Sequence, residues 1–344
     1  MVGDRLGLGI LGCGLIARIH LEALRGVAQF RPVGVYDIVP SLAEGLAGAH
    51  GLKCYRAFEE LLADPEVDVV DICLPSGLHA EYGIQAARAG KHVIVEKPID
   101  VTMEAARSLI SAGKEAGVFL AVILQNRFAP SVRRVKEALA AGLLGRLYAG
   151  EATIKWYRDE KYFSLSKWKG TKRYDGGGAL MNQGIHTIDL LLWFLGPVKR
   201  LTSLVRTVRH PIEVEDLAVA LLEFENGAIG TITGSTAMKP GFPERIELFG
   251  EKGAVVLEAG RIVRWKVDGS EESAFLDEAP LASGSSDPAG IPVTNHRAQF
   301  AAIGEALLQR RQPPVSGEES LRALGVILAI YAADGKWIEV GGKG

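Results

Sequence analysis

A short turn between an apolar strand and an amphipathic helix constrains the fold of this chain most. Residues 8–11 are strand-like, and residues 15–25 have helical periodicity. Between them runs the pattern Gly12-x-Gly14-x-x-Ala17. The first glycine permits a tight turn, the second lets a ligand approach the backbone, and the alanine lets the helix pack close to the sheet. The pattern is typical of a turn that binds dinucleotide phosphates at a helix N-terminus. The residues predicted to contact this ligand are Gly12, Gly14, Leu15, Ile16 and Ala17.

A second predicted strand, residues 32–36, ends at Asp37, 25 residues after Gly12. An acid at this position accepts hydrogen bonds from both ribose hydroxyls of NAD and repels the additional phosphate of NADP. The sequence therefore predicts NAD as the cofactor and disfavours NADP. Because glycine is abundant (41 of 344 residues), the motif alone is also compatible with an ordinary strand–turn–helix and a solvated aspartate.

Composition places the chain among ordinary globular proteins. Hydrophobic residues make up 48% of it, and 344 residues are enough for two domains. A formal net charge of −2 gives no basic field for a nucleic acid. No segment resembles a membrane span or a signal peptide, so we expect a cytoplasmic protein that binds neither nucleic acid nor membrane. Cys13, Cys54 and Cys73 have no metal-ligand spacing, so we expect three reduced core thiols and no metal.

Strands alternate with helices over residues 1–124, which predicts a Rossmann domain with a doubly wound parallel sheet. Ligands bind such sheets beyond the carboxyl ends of the strands, so the loops that follow the strands should share one crevice. Beyond the glycine turn, the candidate cofactor contacts in these loops are Asp37, Pro75, Ser76, His79, Glu96, Lys97 and Gln125.

The pattern changes over residues 125–344 to longer alternating segments, joined by turns such as Glu225-Asn226-Gly227 and Glu251-Lys252-Gly253. These segments predict a second, α+β domain for substrate binding and oligomerisation, built on an open, largely antiparallel sheet. One long helix is predicted over residues 179–195. We expect residues 281–289, rich in Ser, Gly and Pro, to form a surface loop. The last helix, over residues 317–334, is expected to pack back on the first domain.

Two further motifs indicate catalysis. Glu96-Lys97-Pro98 follows the fifth predicted strand, where the nicotinamide should lie, and a lysine there can stabilise alkoxide character on a substrate oxygen. In the long predicted helix, Asn182 and His186 are four residues apart and share one face, and Asp189 follows His186 by three. Gly184 between them indicates close approach by a cofactor ring, a substrate or another helix. Taken singly, the first motif also fits a charged loop and His186 a core histidine.

Together these motifs resemble the Gfo/Idh/MocA oxidoreductase family. The resemblance covers nearly the whole chain. Its motifs are the glycine turn, Asp37, Glu96-Lys97-Pro98, Gln125-Asn126-Arg127-Phe128, Asn182-x-Gly184-x-His186-x-x-Asp189, His296-Arg297-x-Gln299-Phe300 and Pro314-Val315-Ser316-Gly317-Glu318. It implies NAD or NADP, oxidation of a ring hydroxyl on a sugar or cyclitol, and a second-domain sheet that forms homodimers or homotetramers. It also implies that Lys97 is catalytic and that His186 is the general acid/base.

Position 182 departs from the family pattern, because many members have aspartate where this chain has Asn182. Asparagine can orient His186 through hydrogen bonds, but it has no charge to raise the basicity of the imidazole. The sequence therefore leaves open whether Lys97 or His186 is the principal acid/base, with Asn182 as the third catalytic candidate.

Aromatic and cationic residues before the glycine triplet resemble the corresponding segment of family members that act on sugars, including the UDP-N-acetylglucosaminuronate 3-dehydrogenase type. A half-buried loop with Trp168 in the core is the alternative interpretation. The predicted substrate contacts are Lys97, Arg127, Tyr157, Arg158, Trp168, Asn182, Gln183 and His186.

The sequence thus predicts an NAD-dependent dehydrogenase that oxidises a ring hydroxyl of a sugar, sugar acid, nucleotide sugar or cyclitol. Lys97 and His186, from different domains, are expected to converge on the nicotinamide. Two alternatives stay open: an NAD-dependent redox-elimination glycosidase, which oxidises its substrate transiently, and a non-catalytic NAD-binding regulatory protein. The presence of both Lys97 and His186 argues against the second.

Overall fold

The structure is a computed structural model that describes residues 5–274, 276 and 293–340. The chain forms two compact units. One contains the described residues up to Gln125 together with Val293–Leu321, and the other contains the described residues from Asn126 to 276 and from Arg322 onward. The sequence-based division had assigned all residues after 124 to one domain. The surface loop predicted at 281–289 lies outside the described residues. Within the described ranges, no helix has the length and apolarity needed to cross a membrane.

The first unit contains a parallel six-stranded sheet in the order β3-β2-β1-β4-β5-β6, which confirms the predicted Rossmann fold. Its strands are β1 (Leu6–Leu11), β2 (Phe30–Tyr36), β3 (Lys53–Cys54), β4 (Val69–Ile72), β5 (His92–Val95) and β6 (Leu120–Val122). The helices between them are α1 (Leu15–Leu24), α2 (Pro40–His50), α3 (Phe58–Ala63), α4 (His79–Arg88) and α5 (Met103–Glu115). Strand order reverses between β1 and β4, so the loops after these strands lie at the switch point where such sheets bind ligands.

Central and edge strands of this sheet differ in burial. β1 and β4 are buried along their whole length, as expected for apolar strands covered on both faces. β3 has only two residues, lies at the edge, and both are exposed. Cys13 and Cys73 are buried, whereas Cys54, on β3, is exposed. The prediction of three core thiols was therefore wrong for Cys54.

The second unit is built on an eight-stranded sheet in the order β13-β12-β11-β7-β10-β9-β8-β14. Its strands are β7 (Leu147–Lys155), β8 (Val198–Arg206), β9 (Leu217–Phe224), β10 (Ile229–Ser235), β11 (Arg245–Gly250), β12 (Gly253–Glu258), β13 (Arg261–Val267) and β14 (Ile338–Glu339). The helices that precede or interrupt these strands are α6 (Pro130–Ala140), α7 (Glu160–Ser164) and α8 (Ile185–Leu195). Within the described part of this second sheet, β7 and β10 are the only neighbouring strands that run parallel. This confirms the predicted, largely antiparallel sheet.

The long helix predicted over residues 179–195 is divided in the structure. Ala179–Gly184 forms a π-helix, and α8 begins at Ile185. A π-helix is usually a single wide turn and often occurs at a functional site. The prediction of one uninterrupted α-helix was therefore wrong, and the residue spacing around Asn182 differs from that of a regular helix.

Residues 293–321 complete the first unit. They include α9 (Thr294–Leu308) and the start of α10 (Gly317–Ala333). Phe300 on α9 lies in the same hydrophobic core as Leu8 of β1. The buried amide of Gln299 accepts a hydrogen bond from the Leu124 N–H (3.1 Å) and donates one to the Val122 carbonyl (2.8 Å). This segment therefore satisfies backbone groups at the outer edge of β6, which would otherwise lack partners.

We expect Gln299→Leu to lower the free energy of unfolding by about 1–3 kcal/mol, because the Leu124 N–H and the Val122 carbonyl would lose their buried partners. Urea denaturation measures this change. Gln309→Leu, at the exposed end of α9, is the matched control and should change stability by less than about 0.5 kcal/mol. Equal effects of the two substitutions would contradict the role assigned to Gln299.

Candidate active site

The glycine turn after β1 has the geometry expected of a phosphate-binding turn. Gly12 has φ +93°, and a Cβ there would lie 2.6 Å from the Cys73 carbonyl oxygen, so the turn itself requires glycine. A Cβ at Gly14 would have no atom within 4 Å, so its backbone faces open space. Gly14 is the N-cap of α1 and has no side chain with which to cap the helix. The N-terminus of this ten-residue helix thus offers N–H groups and a positive dipole to an anion.

Asp37 lies directly beside this turn. Its Oδ2 accepts a hydrogen bond from the Cys13 N–H (2.7 Å), and its Oδ1 accepts one from the Val39 N–H (2.8 Å). These bonds fix the carboxylate at the carboxyl end of β2 and leave each oxygen further acceptor capacity. The arrangement fits the adenosine ribose of NAD and disfavours the added phosphate of NADP.

Other predicted cofactor contacts lie beyond β4 and β6. The loop after β4 contains half-buried Pro75 and buried Ser76. Gln125 follows β6 and is buried, and its Oε1 has no hydrogen-bond partner among the residues that the structure describes. A buried acceptor without a partner is uncommon and indicates a site for a hydrogen-bond donor. The residues at this edge of the sheet therefore fit a dinucleotide with a carboxamide and two riboses.

Glu96 and His79, also predicted as cofactor contacts, are instead engaged with the protein. The buried Glu96 carboxylate accepts a hydrogen bond from the Lys97 N–H (3.0 Å). Both nitrogens of buried His79 lie near backbone carbonyls, at 2.7 Å from Pro98 O and 2.9 Å from Leu74 O. Burial lowers the pKa of His79, although those two carbonyls oppose the shift. These contacts connect the loops after β4 and β5, and they hold the backbone on both sides of the Lys97 side chain.

In the second unit, Asn182 is paired with a carboxylate. Its Nδ2 donates to Oδ1 of buried Asp175 (2.6 Å), and Oδ2 of Asp175 accepts from the Gly170 N–H (2.8 Å). The charge that sequence reasoning found missing at position 182 is therefore present one contact away. Asn182 precedes half-buried His186 by four residues, across the junction of the π-helix and α8.

The space beside the glycines of this motif is filled by the protein's own atoms. A Cβ at Gly177 would lie 2.2 Å from the Tyr331 hydroxyl, and one at Gly178 would lie 1.7 Å from the Glu215 carbonyl oxygen. At Gly184 the nearest atoms belong to Ala179, Ile188 and Ile154. The protein atoms that approach Gly184 most closely therefore come from its own helical turns and from β7.

Glu215 holds the start of the π-helix. Its carboxylate accepts hydrogen bonds from the Gly178 N–H (2.7 Å), the Leu180 N–H (2.8 Å) and the Tyr331 hydroxyl (2.9 Å). Burial raises the pKa of Glu215, although those donors oppose the shift. The fixed helix start in turn orients Asn182, which follows within two turns.

A cluster of aromatic and cationic side chains adjoins the π-helix. The Tyr162 hydroxyl accepts a hydrogen bond from Gln183 Nε2 (3.1 Å). Lys169 Nζ lies 3.8 Å from the Tyr162 ring centre, and the buried Arg158 guanidinium lies 5.3 Å from it. Burial lowers the pKa of Lys169 and raises that of Tyr162. Perturbed titratable groups beside predicted substrate contacts support a functional role for this cluster.

The remaining predicted substrate contacts are placed differently. The buried Arg127 guanidinium forms a bidentate pair with Asp189, with both bonds at 2.7 Å, and lies 5.3 Å from the Trp193 ring centre. This pair anchors α8. Trp168 is half-buried near Lys169, and the Tyr157 ring faces the side chain of Arg209.

Sequence reasoning did not select Asp175, Tyr162, Lys169 or Glu215 as site residues. Asp175 carries a local signal, since it directly precedes the glycine triplet. Tyr162 and Lys169 lie in a segment already noted for its aromatic and cationic residues. Glu215 has no such signal, because its partners are 35 and 37 residues away in the chain.

We expect Asn182→Asp to destabilise the protein more as the pH rises. The new carboxyl would face Asp175 in a partly buried position, which raises its folded-state pKa above the unfolded value of about 4. Its folded form then binds more protons, so stability is retained below about pH 4 and lost as the pH rises through the raised value. If the folded-state pKa of the new carboxyl is one unit above the unfolded value, the free energy of unfolding falls by about 1.4 kcal/mol, which lowers Tm by about 3–6 °C.

Thermal unfolding at about pH 4 and pH 8 measures the difference. The matched control is the exchange variant Asp175→Asn with Asn182→Asp, which restores one carboxylate and one amide. It should recover most of the loss at the higher pH. A Tm deficit of Asn182→Asp that does not change with pH would contradict the Asp175 contact.

Comparison with known proteins gives consistent relationships for both units. Residues 6–124 match the oxidoreductase family with an NAD-binding Rossmann fold, and residues 132–256 match the GFO/IDH/MocA C-terminal domain. Inositol 2-dehydrogenase of Rhizobium meliloti is 31% identical over 74% of this chain and 76% of that protein. The 1,5-anhydro-D-fructose reductase of Ensifer adhaerens is 28% identical over 96% of this chain and 98% of that protein. The crystal structure of the WlbA dehydrogenase from Bordetella pertussis, in complex with NADH and UDP-GlcNAcA, superposes with a TM-score of 0.89 at 29% identity, over 98% of this chain and 100% of that one.

Proposed function

The chain belongs to the Gfo/Idh/MocA family of NAD-binding oxidoreductases, and we propose that it is a dehydrogenase that oxidises a ring hydroxyl of a sugar, sugar acid, nucleotide sugar or cyclitol. One observation carries the proposal. The open glycine turn, the Asp37 carboxylate and Lys97 all follow strands of one parallel sheet at its carboxyl edge. Cofactor and reacting group would therefore meet at the edge where sheets of this kind bind ligands.

The residues have distinct proposed roles. Gly12, Gly14 and the N-terminus of α1 hold the pyrophosphate of NAD, and Asp37 holds a ribose. When bound, NAD supplies the acceptor for hydride. The Lys97 ammonium donates a hydrogen bond to the substrate oxygen and stabilises its alkoxide character. His186 takes up the hydroxyl proton, with Asn182 and Asp175 beside it to fix its surroundings.

Among the candidate substrates, the side chains around the π-helix favour a sugar acid. Arg158 and Lys169 place two cations over the Tyr162 ring. These two cations would attract the carboxylate of a sugar acid. UDP-GlcNAcA, present in the WlbA complex, has such a carboxylate, so it is our first candidate substrate.

A screen for NADH formation tests the proposal, with UDP-GlcNAcA and myo-inositol among the substrates and with 1,5-anhydro-D-fructose tested in the reducing direction. Steady NADH formation without cleavage of a glycosidic bond supports a dehydrogenase. Release of a free sugar without net NADH supports the redox-elimination glycosidase. NAD binding without turnover on sugars, sugar acids, nucleotide sugars or cyclitols would support the regulatory alternative.

We expect Lys97→Met to reduce kcat by at least ~10²-fold, the usual scale for loss of a positioned acid/base or polarising group, while NAD still binds. Turnover on the substrate found in the screen, together with an NAD titration, measures both effects. Lys114→Met, on the exposed surface of α5 in a pair with Glu318, is the matched control and should keep normal turnover. Near-normal turnover of Lys97→Met would remove this lysine from the mechanism.

We further propose that the open face of the second sheet forms a homodimer or homotetramer. α8 packs against β7 and β11 on one face of this sheet. On the other face, Leu204 of β8 and Val219 of β9 are directly opposite each other and exposed, and Leu221 and Ile229 are exposed beside them. Contiguous aliphatic side chains on a sheet surface are typical of a protein interface.

We expect Leu221→Lys to dissociate this oligomer, because it would bury a charge among aliphatic side chains. Light scattering coupled to gel filtration measures the mass. Leu143→Lys, at a similarly exposed leucine outside the sheet (41% against 40% exposed), should leave the mass unchanged. A monomeric wild type, or an unchanged mass of Leu221→Lys, would contradict the proposed interface.

A further inference from the structure

A buried histidine lies between two carboxylates beneath the candidate active site. His20, on α1, is fully buried. Its Nδ1 lies 2.9 Å from Asp71 Oδ2, and its Nε2 lies 3.1 Å from Glu96 Oε1. The Cys73 thiol lies 3.4 Å from the same Nδ1. The cofactor and substrate roles proposed above do not use this group.

The two carboxylate contacts identify the charge on the ring. A neutral imidazole has one N–H and can donate only one hydrogen bond, whereas the cation donates from both nitrogens. With a carboxylate oxygen at each nitrogen, the cation is the form in which both contacts are attractive. Burial lowers the pKa of His20, but the Asp71 carboxylate raises it, and the net direction is well above the ordinary value. Burial raises the pKa of Glu96, but His20 lowers it to about 2.

The groups that face His20 come from three parts of the first unit: β4 and the residue after it, the residue after β5, and α9. Asp71 and Cys73 are contributed by β4 and the residue after it, and Glu96 follows β5. From α9, the Phe300 ring packs edge-on at 5.0 Å and the His296 ring lies at 5.5 Å. Burial raises the pKa of Cys73 to about 12, so the sulfur stays a thiol. A thiol is a poor metal ligand, and the short contacts between the ring and the carboxylates favour a hydrogen-bonded group over a metal site.

Glu96 connects this group to the reacting lysine. While Oε1 contacts His20, Oε2 accepts a hydrogen bond from the Lys97 N–H (3.0 Å). If His20 lost its charge, Glu96 would be a buried anion without its main partner. It would then either take up a proton or rotate toward water, and in both cases its bond to the Lys97 backbone would weaken.

We propose that His20 is a positioning residue, whose imidazolium holds the Glu96 carboxylate and, through it, the backbone from which the Lys97 amine projects. The proposal rests on the function proposed above, because the position of Lys97 affects catalysis only if its amine contacts the substrate. Its charge state and its effect on Lys97 are measurable whether or not a substrate is found.

The first experiment measures the charge of His20 in the full chain with NAD present. Nitrogen NMR of the protein labelled with ¹⁵N-histidine distinguishes protonated from unprotonated ring nitrogens, and the signals missing from His20→Gln assign His20. We expect both nitrogens to remain protonated at about pH 8, well above the ordinary histidine pKa of about 6.5. One unprotonated nitrogen at neutral pH would overturn the proposal.

The second experiment measures the reactivity of the Lys97 amine by acetic anhydride labelling and mass spectrometry. His20→Gln and Glu96→Gln should each increase the labelling rate of half-buried Lys97 by about 3-fold. A change of one unit in the pKa of the amine corresponds to a tenfold change in its reactivity. We expect a smaller change, because the loosened backbone shifts the pKa of the Lys97 amine by only part of a unit. Lys114 provides the internal reference. His92→Gln is the matched control. His92 is the first residue of β5, the strand directly before Glu96, and its Nδ1 accepts a hydrogen bond from the Phe119 N–H instead of contacting a carboxylate. Unchanged or slower Lys97 labelling in both variants would overturn the proposal.

If the screen yields a substrate, His20→Gln should also lower kcat by about 10-fold with an unchanged KM for NAD, because a small displacement of a reacting group is costly. A general loss of structure would instead alter NAD binding and Tm together. If His20→Gln does not fold, the labelling rate of Lys97 in Glu96→Gln alone decides the matter. Failure to find any substrate would count against the dehydrogenase and leave the labelling result intact.

Discussion

Buried or partly buried carboxylates that accept backbone N–H groups fix the loops on which both candidate sites depend. A loop cannot satisfy its own N–H groups as a helix or strand does, so it needs acceptors from elsewhere. Hydrogen bonds to a charged acceptor are stronger than those between neutral groups. Each carboxylate serves a loop that contains or adjoins a predicted site residue. The side chains in this role are Asp37, Glu96, Asp100, Asp175, Glu215 and Asp216.

The fold followed from the sequence because its signals are local. Strand and helix periods, two glycines and two short turns were enough to predict the doubly wound parallel sheet and the largely antiparallel second sheet. The π-helix at Ala179–Gly184 was not predictable in the same way, since 6 residues are too few to reveal its wider turn and its start is held by Glu215, far along the chain. Cys54 was misjudged for a related reason: burial depends on how many strands cover a position, and β3 has a neighbour on one side only.

The candidate sites show the same division between local and tertiary information. The turn at Gly12 and Gly14 could be interpreted from spacing alone, and the structure gives both glycines the geometry that the pattern requires. The sequence could not tell which glycines face a ligand and which face the protein, and Gly177, Gly178 and Gly184 face the protein. Arg127 is predicted as a substrate contact, but its partner Asp189 is 62 residues away, and only the fold reveals the pair.

The return of residues 293–321 to the first unit affects how this protein is made. The ribosome completes β6 and the residues up to Gln125 long before it reaches Leu321, the end of the segment that covers β6. The interval is 321 − 125 = 196 residues, or about 10–40 s at about 5–20 residues per second. During that time β6 is an uncovered edge strand, and the core awaits Phe300 and Leu307. The cofactor-binding unit therefore begins first but is completed only after residues 126–292 of the second unit have been made. A nascent chain stalled within those residues would expose both an apolar surface and an open sheet edge to chaperones or aggregation.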